Sequence, residues 1–261
     1  MIKTAFKRAR IAFSFLTTIP MGSKNKWRQT EFAPLDMAKS LIFAPVVGLA
    51  IGAILLLVWQ FASFFPSKPI AAVFVLLAYV LLTGGLHLDG MADTCDGVFS
   101  NRPRARMLEI MRDSRIGTNG VIALVITILI YWTAISTLPL FHELNAVVAL
   151  LLFPVAGRTA SIVGSGLSKY ARKNEEGLGK NFVELLGLRD AIIGGVLSFL
   201  IFIGVYGWRG AILYLITIAS TLGGVLFFKK RIGGATGDTL GAMCEFNQIV
   251  FILGFIIIGG M

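Results

Sequence analysis

Seven apolar runs separated by short polar segments constrain this chain more than any other feature. They are Ser40–Phe61, Pro69–Leu86, Gly120–Leu138, Leu144–Val163, Ala191–Trp208, Ala211–Phe228 and Asn247–Met261. A helix that crosses a bilayer needs roughly 17 to 25 apolar residues, and every run but the short last one meets that length. Inside lipid the backbone must satisfy its own hydrogen bonds, so such runs become helices. Only 15% of the 261 residues are charged, where a soluble domain carries about 25%. The expected fold is all-α, a polytopic integral membrane helical bundle of about six to seven transmembrane helices. It forms one domain, with residues 1–39 as an interfacial segment and 40–261 as the bundle.

Charge then orients the bundle. All but two of the 24 Lys/Arg fall in the N-terminal tail and in alternate connections; the exceptions are Lys68 and Arg209. By the positive-inside rule those segments face the cytoplasm. Of the 14 acids, only Glu143 falls on the other side. This count places Arg158 and Glu245 in loops and leaves the interior of the spans almost free of polar groups, which favours a membrane enzyme over a carrier. Ile2–Thr18, with Lys3, Lys7, Arg8 and Arg10, reads as a basic amphipathic helix on the membrane surface, with a re-entrant helix as the alternative. Pro20 and Gly22 end its apolar stretch too early for a signal peptide. The net charge of +10 suits anionic lipid headgroups. Spread over four segments, it gives no nucleic-acid footprint. Cys95 and Cys244 fall on the reducing side, so no disulfide is expected.

The chemistry concentrates in His87-Leu-Asp89-Gly90-Met-Ala-Asp93-Thr-Cys-Asp96-Gly97. Carboxylates at i, i+4 and i+7 fall within roughly 60° on one helix face. Like charges that close repel unless a cation sits among them, and a hard divalent ion with oxygen ligands is the simplest choice. The bland reading is a solvated helix end paired to Arg102, Arg104 and Arg106. Gly84, Gly85, Gly90 and Gly97 argue otherwise, because they clear room for a helix or a phosphate. His87 lies one turn away. A second group is Arg112-Asp113-Ser-Arg115-Ile-Gly117-Thr-Asn-Gly120. Asp113 is a further metal candidate, and the forked donors of Arg112 and Arg115 suit phosphate. A third is Gly233-Gly234-Ala-Thr236-Gly237-Asp238-Thr239-Leu-Gly241, followed by Glu245, with Asp238 as a polar partner for metal or nucleotide. It lacks the lysine of a phosphate-binding Walker loop. Glu175-Glu176-Gly177-Leu178-Gly179, with Arg158 upstream, says little by spacing alone. Acids, glycines and arginines on one face suit phosphoryl or nucleotidyl transfer.

Taken as a whole, these motifs resemble the signature of the cobalamin synthase family. The match runs from Phe15-Leu-Thr-Thr-Ile-Pro20 through Gly84–Ser100 and Arg106–Thr118 to Glu175–Gly179 and Gly233–Gly241. The resemblance implies a membrane-bound adenosylcobinamide-GDP ribazoletransferase that needs Mg²⁺. Its substrates would be adenosylcobinamide-GDP and α-ribazole or its 5′-phosphate, with GMP released. It implies Asp89, Asp93, Asp96 and Asp113 as metal ligands, one of them also the base. It implies His87, Arg112, Arg115, Arg158, Gly237, Asp238 and Thr239 as substrate contacts. The expected location is the cytoplasmic (inner) membrane of a bacterium or archaeon, with the site facing the cytoplasm. There is room for a homo-oligomer or for association with other cobalamin-assembly enzymes. A wider likeness to CDP-alcohol phosphotransferases rests on Asp93-Thr-Cys-Asp96-Gly97, but Ser100 and Asn101 break that pattern. Such an enzyme, or less favoured a transporter, is the alternative.

Overall fold

The computed structural model describes residues 2–21, 32–62, 64–65, 67–138, 144–172 and 177–259. Glu175 and Glu176, and the basic residues Lys24, Lys26 and Arg28, lie outside them, as does Glu143. Among the described residues the chain is helical, without strands. In order come α1 (Ile2–Leu16), α2 (Pro34–Ser40), α3 (Ala44–Ala62), α4 (Lys68–Thr83), α5 (Leu86–Val98) and α6 (Arg104–Ile110). There follow α7 (Thr118–Ser136), α8 (Leu144–Leu167), α9 (Leu178–Glu184), α10 (Leu188–Ile232) and α11 (Gly237–Gly259).

Among the described residues five helices are long and apolar enough to cross a bilayer, and the pair α4/α5, bent by 88°, passes the same test when its two helices are taken together. The 45 residues of α10, at 1.5 Å each, would run over twice the roughly 30 Å of a hydrocarbon core. The helix is broken where that length demands it. Tyr206 and Gly207 leave helical geometry, with Gly207 at φ 57°. Beyond the break the second half folds back on the first. Gly210 lies against the Phe202 carbonyl, and the Tyr214 ring packs 5.2 Å from Phe199 and 5.8 Å from Phe202. The two halves match the expected runs Ala191–Trp208 and Ala211–Phe228. The expected short last span is corrected: α11 starts at Gly237, ten residues earlier, and carries Glu245 inside the bundle.

The bundle is built around α8, which packs on α3, α10 and α11. Small residues allow the close approach that membrane helices rely on. A Cβ on Gly48 of α3 would stand 2.8 Å from the Pro154 carbonyl oxygen, and one on Gly157 of α8 would stand 2.6 Å from Cys244 Sγ. Outward faces carry Leu57, Phe61, Val125, Leu129, Leu200 and Leu215 exposed, as lipid contact requires.

At one end of the bundle α1, α2, α5, α6 and α9 gather. The amphipathic α1 buries Ile11, Ala12 and Leu16. It is tied to α2 by Lys7 and Arg8, which both reach Asp36 at 2.7 and 2.9 Å. Lys39 of α2 holds Asp190 of α10 at 2.7 Å. Thr18 donates its backbone N–H to Leu82 and its hydroxyl to Leu81, pinning the tail to the end of α4. There Gly84 and Gly85, both left-handed at φ 61° and 70°, turn the chain through 88° into α5. Successive left-handed residues are strained for any side chain, and glycine permits them.

The expectation of an apolar interior does not hold. Arg158 lies within α8 and Glu245 within α11, both fully buried. Glu245 accepts from the Tyr79 hydroxyl (2.6 Å), the Tyr131 hydroxyl (2.8 Å) and Gln248 Nε2 (3.0 Å). Arg158 in turn donates to Gln248 Oε1 at 2.8 Å. Glu245 is solvated by three protein donors, whereas Arg158 has that acceptor and the Tyr79 ring 5.8 Å away, its Nε and Nη2 lacking a hydrogen-bond partner among the described residues. Cys95 and Cys244 are free, as expected.

Candidate active site

α5 presents Asp89, Asp93 and Asp96 on one face, as their spacing predicts, and their burial is graded along it. Asp89 is exposed, Asp93 is half-buried and Asp96 is buried. The innermost has a defined task. Asp96 accepts the backbone N–H of Gly117 at 2.7 Å and of Gly120 at 2.8 Å. It thereby caps the N-terminus of α7, where donors lack partners and a negative charge is favoured. Both Asp96 oxygens serve this cap, so Asp96 sets the height of Asp93 and the register of the Gly117–Gly120 turn.

A fourth carboxylate enters from the far end of the chain. Thr236 caps α11: its hydroxyl accepts the Thr239 N–H at 3.3 Å, while Thr239 Oγ1 accepts the Thr236 N–H at 2.8 Å. This reciprocal cap buries Thr239 and gives it a structural role. The start of α11 then presses on α5 at two glycines. A Cβ on Gly90 would lie 2.7 Å from the Asp238 carbonyl oxygen, and one on Gly241 would lie 3.3 Å from the His87 carbonyl. With no side chains between the helices, Asp238 joins the α5 face. The charges that bear most on Asp93 are those of Asp89, Asp238 and Asp96, opposed by Arg172.

Arg172 is the residue that sequence reading passed over. It donates to Asp238 Oδ2 at 3.1 Å, and only the fold reveals why. A parallel bridge between Tyr170 and Ala235 lays segment 169–172 beside the turn before α11, with Ala171 N to Ala235 O at 2.9 Å and Ala235 N to Lys169 O at 2.8 Å. The signal available in the sequence was one basic residue among several in that loop.

A cavity of about 240 Å³ opens against these acids, lined among others by His87, Asp89, Gly90, Gly237 and Asp238. Gly179 of α9 closes it from one side; a Cβ there would lie 2.6 Å from Gly237 N. The described end of the Glu175–Gly179 motif therefore meets the Gly233–Gly241 motif. His87 lines the cavity as well. Arg158 does not: it is in the buried network beneath. Asp113 is also apart. Its two oxygens hold Arg115 at 3.0 and 2.7 Å, and this guanidinium keeps the Asp113 carboxyl down at about 2. Arg112 and Arg115 are exposed on the same loop, directly before the Gly117–Gly120 turn that Asp96 holds.

Two places could hold a cation. His87, Cys244 and Glu245 bring ligand atoms within 4.8 Å of one another, but all are buried beside Arg158, whose charge opposes a second cation there. The carboxylates of Asp89, Asp93 and Asp238 are a better fit. They supply only oxygen, Asp89 and Asp238 line the cavity, and the three do not close into a tight cage. Mg²⁺ commonly takes one or two protein carboxylates and completes its shell with water and substrate phosphate.

Sequence comparisons identify the family. The chain matches the family model described as cobalamin-5-phosphate synthase over residues 8–256. It is 44% identical over 249 residues to an adenosylcobinamide-GDP ribazoletransferase of Acetivibrio thermocellus, covering 95% of this chain and 97% of that one. The enzyme of the same name from Clostridium acetobutylicum is 42% identical over 248 residues, covering 95% of each chain. That of Klebsiella pneumoniae is 38% identical over 260 residues, covering 98% of this chain and all of the other. No solved structure matches the chain with significance. Matched along nearly its whole length, with its motifs meeting at one cavity, this chain belongs to the cobalamin-5-phosphate synthase family.

Proposed function

We propose that this protein is an adenosylcobinamide-GDP ribazoletransferase of the bacterial cytoplasmic membrane, with its site on the cytoplasmic face. The observation that carries the reading is that Asp89 and Asp238 line one cavity, with Arg172 bonded to Asp238 and the charge of Asp93 close enough to feel all three. A ribose hydroxyl of α-ribazole attacks the phosphorus attached to cobinamide. The bond from that phosphorus to the bridging oxygen breaks, and GMP leaves with the oxygen. The hydroxyl proton passes to one of the half-open carboxylates, Asp89 or Asp93, since a base must stand within hydrogen-bond reach of that proton. Asp89, Asp93 and Asp238 would hold Mg²⁺, which when bound would supply neutralisation of the diphosphate charge. Arg172 adds a fixed positive charge beside Asp238, and Arg112 and Arg115 offer forked donors to phosphate from the neighbouring loop.

The membrane orientation follows from the charge asymmetry. Among the described residues, the basic residues outside the spans, apart from Lys68 and Arg209, belong to the end of the bundle that carries the site. The reading is tested with purified protein, adenosylcobinamide-GDP, α-ribazole and Mg²⁺. GMP release is expected, and its absence from folded protein would sink the assignment. A CDP-alcohol phosphotransferase would instead consume a CDP-linked lipid and release CMP.

A further inference from the structure

The cavity beside Asp89 and Asp238 has two unlike walls. One carries the acids with Gly90 and Gly237; the other carries Phe15, Leu41, Leu178 and Phe182. Phe15 comes from α1 and Phe182 from α9, two helices outside the bundle whose rings meet here, centroids 5.0 Å apart and tilted by 43°. The uncharged polar side chains on the lining are His87 and Ser161. His87 is buried and its Nδ1 has no hydrogen-bond partner among the described residues. A group entering this space meets aromatic and aliphatic surface, with one imidazole to bond to and carboxylates at its edge.

Size and polarity then select among the groups on the two substrates. At about 240 Å³ the cavity is smaller than the roughly 300–1,000 Å³ that encloses a drug-sized ligand. A corrin macrocycle does not fit. Guanine is flat and small enough, but it carries donors and acceptors along its edges. Asp89 and Asp238 can accept from its N1–H and amino group, but its O6, N3 and N7 acceptors would face leucine and phenylalanine and go largely unpaired, which is costly. The benzimidazole base of α-ribazole is a flat apolar bicycle whose one free ring nitrogen is a single acceptor, so it leaves the fewest polar groups unpaired against this lining, which includes the His87 imidazole. We propose that this cavity seats the benzimidazole base, between the Phe15 and Phe182 side and Gly90, with the attached ribose at the Asp89–Asp238 edge. Phe15, Leu41 and Phe182 are then specificity-determining residues, and α1 and α9 become parts of the acceptor site. The inference rests on the reaction proposed above and adds to it the acceptor's subsite.

The test uses the full chain in detergent or nanodiscs, with kinetics for each substrate and calorimetric binding of α-ribazole alone. Phe182→Ala and Phe15→Ala should raise KM for α-ribazole by about tenfold, the scale of losing one stacked aromatic face from a bound base. KM for adenosylcobinamide-GDP should stay within about twofold, because the diphosphate is held elsewhere. Phe182→Leu, which keeps the apolar bulk, serves if an alanine variant fails to fold. On wild-type protein, free dimethylbenzimidazole should compete with α-ribazole and not with adenosylcobinamide-GDP. If GMP is released but the variants move both KM values or neither, the subsite is overturned and the reaction stands. Saturable α-ribazole binding that the variants weaken, without any GMP release, supports the subsite and refutes the reaction. A protein that neither releases GMP nor binds α-ribazole overturns both.

Discussion

Asp93 and Asp96 are one turn apart on the same helix and do different work, so one substitution separates them. Asp93 is half-buried among like charges and makes its case through chemistry. Asp93→Asn should cost about 100-fold or more in kcat/KM, the low end for removing a positioned acid–base group, with no loss of thermal stability in detergent. Asp96 makes its case through structure, because both oxygens bond backbone donors of α7. Asp96→Asn keeps one acceptor and turns the other toward a donor. Unfolding should become easier by about 1–3 kcal/mol, the cost of leaving a buried polar group unpaired. A stable, inactive Asp96→Asn protein would contradict this division. The sequence put both residues on one face correctly. It could not rank them, because the cap depends on where α7 begins in space.

Among the elements, the contact between α5 and α11 decides whether the site exists. It relies on Gly90, where a Cβ would lie 2.7 Å from the Asp238 carbonyl oxygen and 3.1 Å from its Cα. Backbone on a helix start cannot step aside as a side chain can, so the helices must part. Gly90→Ala should destabilise the protein by about 1–3 kcal/mol, as overpacking does, and should also lower activity by drawing Asp238 away from Asp93. Thermal unfolding and GMP release, measured together, check this; a fully active and stable variant would show that the two helices have slack. The glycines around the acids were legible as a sign of close approach. Which helix approaches was not, since α5 and α11 are far apart in the sequence.

At the scale of the whole molecule, a polar network joins four helices under the site. Tyr79 of α4, Tyr131 of α7, Arg158 of α8 and Glu245 and Gln248 of α11 are all buried within it. Arg158→Met should destabilise by about 3–5 kcal/mol because it leaves a buried charge without its counterpart. Adding Glu245→Gln should recover part of that loss. Unfolding measured across the double-mutant cycle tests the coupling, and simple additivity of the two changes would deny it. The orientation of the bundle is open to a labelling test in a chain lacking Cys95 and Cys244. A cysteine at Lys68 should react with an impermeant maleimide in intact cells, and one at Arg102 only after permeabilisation. The all-α class and the order of the long apolar helices were legible in the sequence alone, because lipid allows an apolar run of that length only one structure. So was the three-acid face, because helical periodicity is local. The tertiary structure alone decided that Arg158 and Glu245 are buried and that Arg172 stands beside Asp238 at the α5 face. Those outcomes depend on contacts between segments distant in sequence, and a buried charge is permitted only where the fold supplies its partners.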